Sequence, residues 1–190
     1  MNRLTLASTS PQRRAILEQL RIPFEAVVPA YVEDDPPELE PVELVRVHAE
    51  GKARSVHEPG RLTLGVDTAV VLDGRAYGKP VDRADAARML EELSGRTHTV
   101  VSGVCLLGAG EDVVAHEATD VAMRPLSRAA VETYIESGEW KGRAGSYAIQ
   151  GLGGRLVARI AGDYLNVVGL PGALLVSMLE LHAPDFLKLR

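Results

Sequence analysis

The stretch "LTLGVDTAVVLDGRAYGKP", residues 62–80, decides how this chain folds. Residues 62–72 form a continuous apolar, β-branched run interrupted only by Asp67 and Thr68. The pair Asp73-Gly74 suits the left-handed turn of a tight hairpin, and "RAYGKP" supplies the return. A hairpin of this kind, set among helices, implies a mixed α/β or α+β sheet and not a repeating βαβ fold. A carboxylate in an apolar strand costs free energy unless it is paired or bound to a cation. Asp67 is therefore a candidate functional residue, although an aspartate that satisfies backbone donors near a strand end accounts for the same pattern.

Toward the C-terminus, Asp82 is placed to cap a helix with Ala86, Met89, Leu90 and Leu93 on one face and Gly95 just past its end. Residues 97–108 and 112–123 read as two strands joined through "GAGE", and residues 127–138 as a helix capped by Ser127. Residues 154–162 alternate like a strand, and residues 171–182 are a largely apolar helix opened by Pro171. Toward the N-terminus, "RLTLAS" is a short buried strand that runs into a helix with Ser10 as its cap, Pro11 at its first position and Ile16, Leu17 and Leu20 on its apolar face. Residues 22–32 suit a strand, and residues 33–41 an acidic, proline-rich surface loop. Between Val42 and Val56 the positions Val45, Ala49, Ala53 and Val56 recur at helical spacing, with Lys52 beside them. No repeat or linker interrupts this order, so residues 1–190 read as a single domain.

A formal net charge of -5 does not indicate a broad basic surface for nucleic acid, so any anion site must be a local positive pocket. Cys105 is the only cysteine, which excludes an intrachain disulfide and a cysteine zinc cluster. It is expected to pack inside a strand, in a soluble protein of a reducing cytoplasm. No signal peptide or membrane span is readable. Only four of the 21 cationic residues are lysine, so lysines among glycines, as at Lys52 and Lys79, invite a role for a compact ammonium.

The segment "LASTSPQRR", residues 6–14, delivers Ser8, Ser10 and Arg13 to a helix N-terminus, where free N–H groups favour an anion. Arg13 or Arg14 offers the planar fork that grips phosphate, and a capped helix with solvated arginines is the alternative; for Arg14, solvation is the default. Glu33, followed by two aspartates, offers a second carboxylate, and magnesium favours a few carboxylates with phosphate oxygens and water. "GLGGR" precedes a strand-like segment and so is a poor dinucleotide fingerprint; the two GK pairs lack the Ser or Thr of a P-loop, and the histidines lack zinc-ligand spacing. Arg13, Glu33, Lys52, Asp67 and Lys79 together suggest metal-assisted phosphate chemistry.

Taken with "AEGKA", "GVDTAV", "YGKP", "MLEELSGRTHTVVSGV", "YIESGEWKGRAGSYAIQG" and "IAGDYLNVVGLP", these motifs give a sequence that resembles the Maf family of nucleoside triphosphate pyrophosphatases. The resemblance implies hydrolysis between the α and β phosphates with a divalent cation, Mg or Mn. It implies an elongated mixed β-sheet with two α/β lobes and a central cleft, similar to inosine triphosphate pyrophosphatases, commonly in a homodimer. On it, Asp67 resembles the catalytic proton acceptor, Lys52 and Lys79 the phosphate-facing lysines, Arg13 the retained arginine, and Glu33 with Asp67 the metal-linked carboxylates. Ser8 is a further substrate-binding candidate. Thr68 and Gln150 resemble the branch that favours dTTP and UTP, whereas Gln12 departs from both that branch and the one favouring 7-methyl-GTP. A purine-directed pyrophosphatase and a non-catalytic nucleotide-binding regulator of cell division are the competing readings.

Overall fold

The computed structural model describes residues 3–36, 38–108 and 110–187. Along the chain lie β1 (Leu4–Ala7), α1 (Pro11–Gln19), β2 (Phe24–Val27), α2 (Pro41–Arg54), β3 (Thr63–Leu72), β4 (Arg75–Tyr77), α3 (Arg83–Leu93), β5 (Thr97–Leu107), β6 (Val113–Met123), α4 (Arg128–Glu136), β7 (Val157–Ala161), α5 (Tyr164–Val168) and α6 (Gly172–His182). The seven strands form one mixed sheet in the order β2-β1-β3-β5-β6-β7, with β4 also paired to β3. No helix among the described residues is long and apolar enough to cross a membrane.

Strand β3 organises the molecule. On one side it pairs antiparallel with β5 from Thr63 to Val71. On the other, β1 runs parallel to it only as far as Gly65, and β4 runs antiparallel to it only from Val70. Among the described residues the edge of β3 between these partners has no neighbouring strand, and Asp67 and Thr68 lie in that gap. The Asp73-Gly74 turn forms as the sequence predicts, with φ of 52° and 76°.

Two hydrophobic cores flank the gap. Leu64 and Val66 pack with Leu6, Leu17, Val104, Leu175 and Leu179 on one side. Val70 and Leu72 pack with Leu90, Leu93, Tyr134, Trp140 and Tyr147 on the other. The strand's alternation puts Asp67 on the opposite face from these side chains, under α2.

Helix α2 lies unusually close to the sheet because the sheet offers two glycines beneath it. A Cβ on Gly65 would stand 2.0 Å from the Ala49 carbonyl oxygen, and one on Gly103 would stand 2.2 Å from the Val45 carbonyl oxygen. This close approach carries Lys52 down to Asp67. Burial of Cys105 beneath the same helix pushes its thiol up to about 12, so it is an inert core residue, as expected.

Two sequence expectations are corrected. Residues 22–32 form a strand only over Phe24–Val27, because β2 pairs solely with the four-residue β1 and Pro29 follows. Residues 152–156 form a 3₁₀ turn before β7 begins, so the last strand is shorter than its alternating pattern suggested. The short helix α5 has no counterpart in the sequence reading.

Candidate active site

The gap beside β3 opens into a cleft with a cavity volume of about 480 Å³, within the ordinary range for a small-molecule site. Its lining includes five cationic side chains, Arg13, Lys52, Lys79, Lys141 and Arg143, against two carboxylates, Glu33 and Asp67. In a chain of net charge -5 this is the local positive pocket that a polyanion requires.

Lys52 stands at its centre. Its Nζ lies 2.5 Å from Asp67 Oδ1 and 2.6 Å from Glu33 Oε1. The lysine and aspartate side chains are nearly buried, at 10% and 16% exposure, whereas Glu33 reaches in from the solvent side at 49%. Burial alone pushes the Asp67 carboxyl up, but the charges of Lys52 and Arg13 and the hydrogen bond from Lys52 outweigh it and hold the carboxyl below its usual range. Asp67 is therefore an ionised carboxylate, able to accept a proton.

Arg13 comes from the first turn of α1, behind the cap in which Ser10 Oγ accepts from the Arg13 backbone N–H. Its guanidinium donates to Gly169 O at 2.9 Å, Ser8 Oγ at 3.3 Å and Thr68 Oγ1 at 3.3 Å. One side chain thus joins the β1–α1 loop, β3 and the end of α5. Burial lowers its pKa against the raising effects of Asp67 and Glu33, and a guanidinium stays charged regardless. Thr68 Oγ1 also lies 2.8 Å from Ser102 Oγ and 3.4 Å from Gly169 O. Its hydroxyl is engaged by the scaffold.

Other predicted residues converge on the same cleft. Ser8 is buried, and its Oγ accepts from the Ser10 backbone N–H at 3.1 Å. Gln12 lines the opening and its Oε1 accepts from Ser10 Oγ at 3.2 Å. Lys79 enters on the segment after β4, which the Gly145 N–H to Gly78 O bond of 3.2 Å ties to residues 143–146. Gln150 departs from the expectation: it is exposed and does not line this cleft, because Tyr147 and Ile149 take the inward positions on its stretch. Arg14 is exposed, in line with its default reading.

The lining also includes polar side chains that were not singled out from the sequence, among them Tyr31, Lys141, Arg143 and Tyr147. Lys141 carried a usable signal, since the lysine scarcity that marked Lys52 and Lys79 applies equally to it. The buried Nε of Arg143 has no hydrogen-bond partner among the described residues. No group of three or more His, Cys, Asp or Glu side chains suited to a metal ion occurs among the described residues. Glu33 Oε1 and Asp67 Oδ1 are both directed at one ammonium, that of Lys52.

The Maf-like protein family model matches residues 3–182. The chain belongs to the Maf family. A dTTP/UTP pyrophosphatase from Symbiobacterium thermophilum is 50% identical over 181 residues, covering 94% of this chain and 93% of that protein. A second protein of that name, from Gloeobacter violaceus, is 48% identical over 179 residues, covering 93% of this chain and 94% of its own. Among solved structures, that of a HAM1 protein from Coxiella burnetii superposes with a TM-score of 0.45 at 19% identity, over 67% of this chain and 76% of that one. Every Maf motif quoted above falls within the matched span, and those that carry Arg13, Lys52, Asp67 and Lys79 meet, with Glu33, at this cleft.

Proposed function

We propose that this Maf protein hydrolyses dTTP and UTP between the α and β phosphates, releasing the nucleoside monophosphate and pyrophosphate. The observation that carries the reading is a nearly buried carboxylate, Asp67, paired with Lys52 in a cleft that five cationic side chains line. In the reaction a water oxygen bonds to the α-phosphorus, the bond from that phosphorus to the bridging oxygen breaks, and the water proton passes to Asp67. Charge builds on the departing pyrophosphate, where Lys52, Lys79, Lys141 and Arg143 are available to stabilise it. Arg13 holds the β1–α1 loop and its serines against the substrate side of the cleft.

The carboxylates fit a divalent cation. Glu33 and Asp67 already share one positive centre, the Lys52 ammonium, and two hard carboxylates completed by phosphate oxygens and water suit Mg or Mn. Such an ion, held by Glu33 and Asp67, would neutralise charge on the phosphate oxygens. The names of the relatives at 50% and 48% identity support dTTP and UTP as the substrates, and the proposal extends to modified pyrimidine triphosphates cleared from the pool. In this reading Gln12, at the cleft mouth, and Thr68 border the base side, with Gln150 on a neighbouring turn. A homodimer in a reducing cytoplasm completes the proposal.

The test is pyrophosphate release from the purified protein with magnesium or manganese across dTTP, UTP, CTP, GTP, 7-methyl-GTP and ITP. Release from dTTP and UTP that is lost on Asp67→Asn is expected. Activity confined to purine triphosphates would overturn the pyrimidine assignment, and inactivity on all six would overturn the enzyme reading.

A further inference from the structure

Glu33 belongs to a stretch, residues 28–36, that has no helix or strand, with Val28 and Val32 exposed at 69% and 86%. Such a segment has few internal contacts to fix a carboxylate within hydrogen-bonding distance of a nearly buried lysine. Three side chains from alternate positions nonetheless reach the same helix. Tyr31 Oη lies 3.0 Å from His48 Nδ1, Glu33 Oε1 lies 2.6 Å from Lys52 Nζ, and Asp35 Oδ1 lies 2.8 Å from His48 Nε2. His48 and Lys52 are one turn apart on α2 and so share a face.

His48 is only 2% exposed, between Val45 and Ala49 on the packed side of α2, where a polar ring is costly unless both nitrogens are satisfied. Both are. A carboxylate can only accept, so Nε2 carries the proton toward Asp35, and Nδ1 accepts from the Tyr31 hydroxyl. The chain of donors runs from Tyr31 through His48 to Asp35. The Tyr31 ring is seated by the absence of a side chain on α2: a Cβ at Gly51 would stand 2.2 Å from Tyr31 Cε2 and 2.5 Å from Cζ. Gly51 in the middle of a helix, unfavourable by propensity, thus has a packing reason.

We propose that Tyr31, His48 and Asp35, with Gly51 as the seat, form a clamp that fixes residues 31–35 on α2 and holds the Glu33 carboxylate beside Asp67 as one half of a preformed cation site. These are positioning residues; none is assigned a reacting atom. The inference rests on the proposed reading of Glu33 and Asp67 as the metal-linked pair. It separates two ways of building that site, a loop carboxylate recruited by the cation and a loop carboxylate already held in place.

The experiment is direct Mn²⁺ binding to the substrate-free protein, followed by electron paramagnetic resonance, for wild type, His48→Ala, His48→Gln, Gly51→Ala, Glu33→Gln and Asp67→Asn. Thermal melts report whether each variant is folded. His48→Ala is expected to weaken Mn²⁺ binding by about 10-fold, the lower end of what outer partners of metal ligands contribute. Gly51→Ala removes no polar group and favours the helix, yet it displaces the tyrosine ring and is expected to weaken binding similarly without lowering the melting temperature. His48→Gln, whose amide offers one donor and one acceptor, recovers part of the loss. Wild-type Mn²⁺ affinity in both His48→Ala and Gly51→Ala, with binding abolished by Glu33→Gln and Asp67→Asn, overturns the clamp and leaves the carboxylate site standing. Unchanged binding in Glu33→Gln and Asp67→Asn overturns the site itself.

Discussion

The Lys52 ammonium donates to the Asp67 carboxylate at 2.5 Å across the interface between helix α2 and strand β3. The contact keeps a nearly buried carboxylate ionised, the state that a proton acceptor needs. Asp67→Asn preserves shape but cannot take the proton. Turnover is expected to fall by about 10²- to 10⁴-fold, with nucleotide binding retained. Pyrophosphate release and equilibrium nucleotide binding, measured on one preparation, check the separation.

The geometry of that pair depends on Gly65. A Cβ there would stand 2.0 Å from the Ala49 carbonyl oxygen and 2.8 Å from the Ala53 nitrogen, both in backbone that cannot swing aside. Gly65→Ala is expected to lift α2, to destabilise the fold by about 1–3 kcal/mol or more, and to lower turnover even in the folded fraction. Urea denaturation alongside activity per folded molecule tests both consequences.

Arg13→Lys keeps the charge and loses the fork. The guanidinium serves Gly169, Ser8 and Thr68 at once, a geometry that a single ammonium does not reproduce. A stability loss of about 1–3 kcal/mol is expected, with a rise in KM for the triphosphate. A lysine variant that matched wild type in both would remove the bracing role assigned to the arginine.

Lys141 and Arg143 line the cleft, and no ion pair engages either among the described residues. Replacing either by Ala removes a charge-assisted contact to phosphate. KM is expected to rise by about tenfold or more, as loss of about 1.5–3 kcal/mol implies, with little change in melting temperature. Steady-state kinetics at fixed ionic strength measure this.

His98 gives the fold a pH dependence of its own. It is buried with Nε2 2.8 Å from the Tyr147 hydroxyl, and burial lowers its pKa from 6.5 to about 4 against a small opposing effect of Asp120. As pH falls from 6.5 to about 4 the unfolded chain takes up a proton that the folded protein refuses. This contribution to stability is therefore complete above pH 6.5 and declines through that window, by on the order of 3 kcal/mol at its lower end. Unfolding free energies of wild type and His98→Gln, compared at about pH 7 and about pH 4.5, are expected to show a smaller acid loss in the variant.

Local chemistry made much of this protein legible in sequence. Ser10 and Pro11 started α1, Asp73-Gly74 closed the β3–β4 hairpin, Asp82 capped α3, and Asp67 was conspicuous because a carboxylate does not belong in an apolar strand without a partner. Such signals are carried by neighbours along the chain, so they can be read without knowing where the chain goes. Tertiary structure alone decided that β1 ends and β4 begins on opposite sides of Asp67, leaving the opening in the sheet. It also decided that glycines at 65 and 103 let α2 descend until Lys52 met that aspartate, that Gln150 turned outward, and that Tyr31, His48 and Asp35 closed over the loop of Glu33. These are meetings between residues far apart in sequence. They are governed by strand register and by how closely backbones approach, and no local period or propensity encodes either.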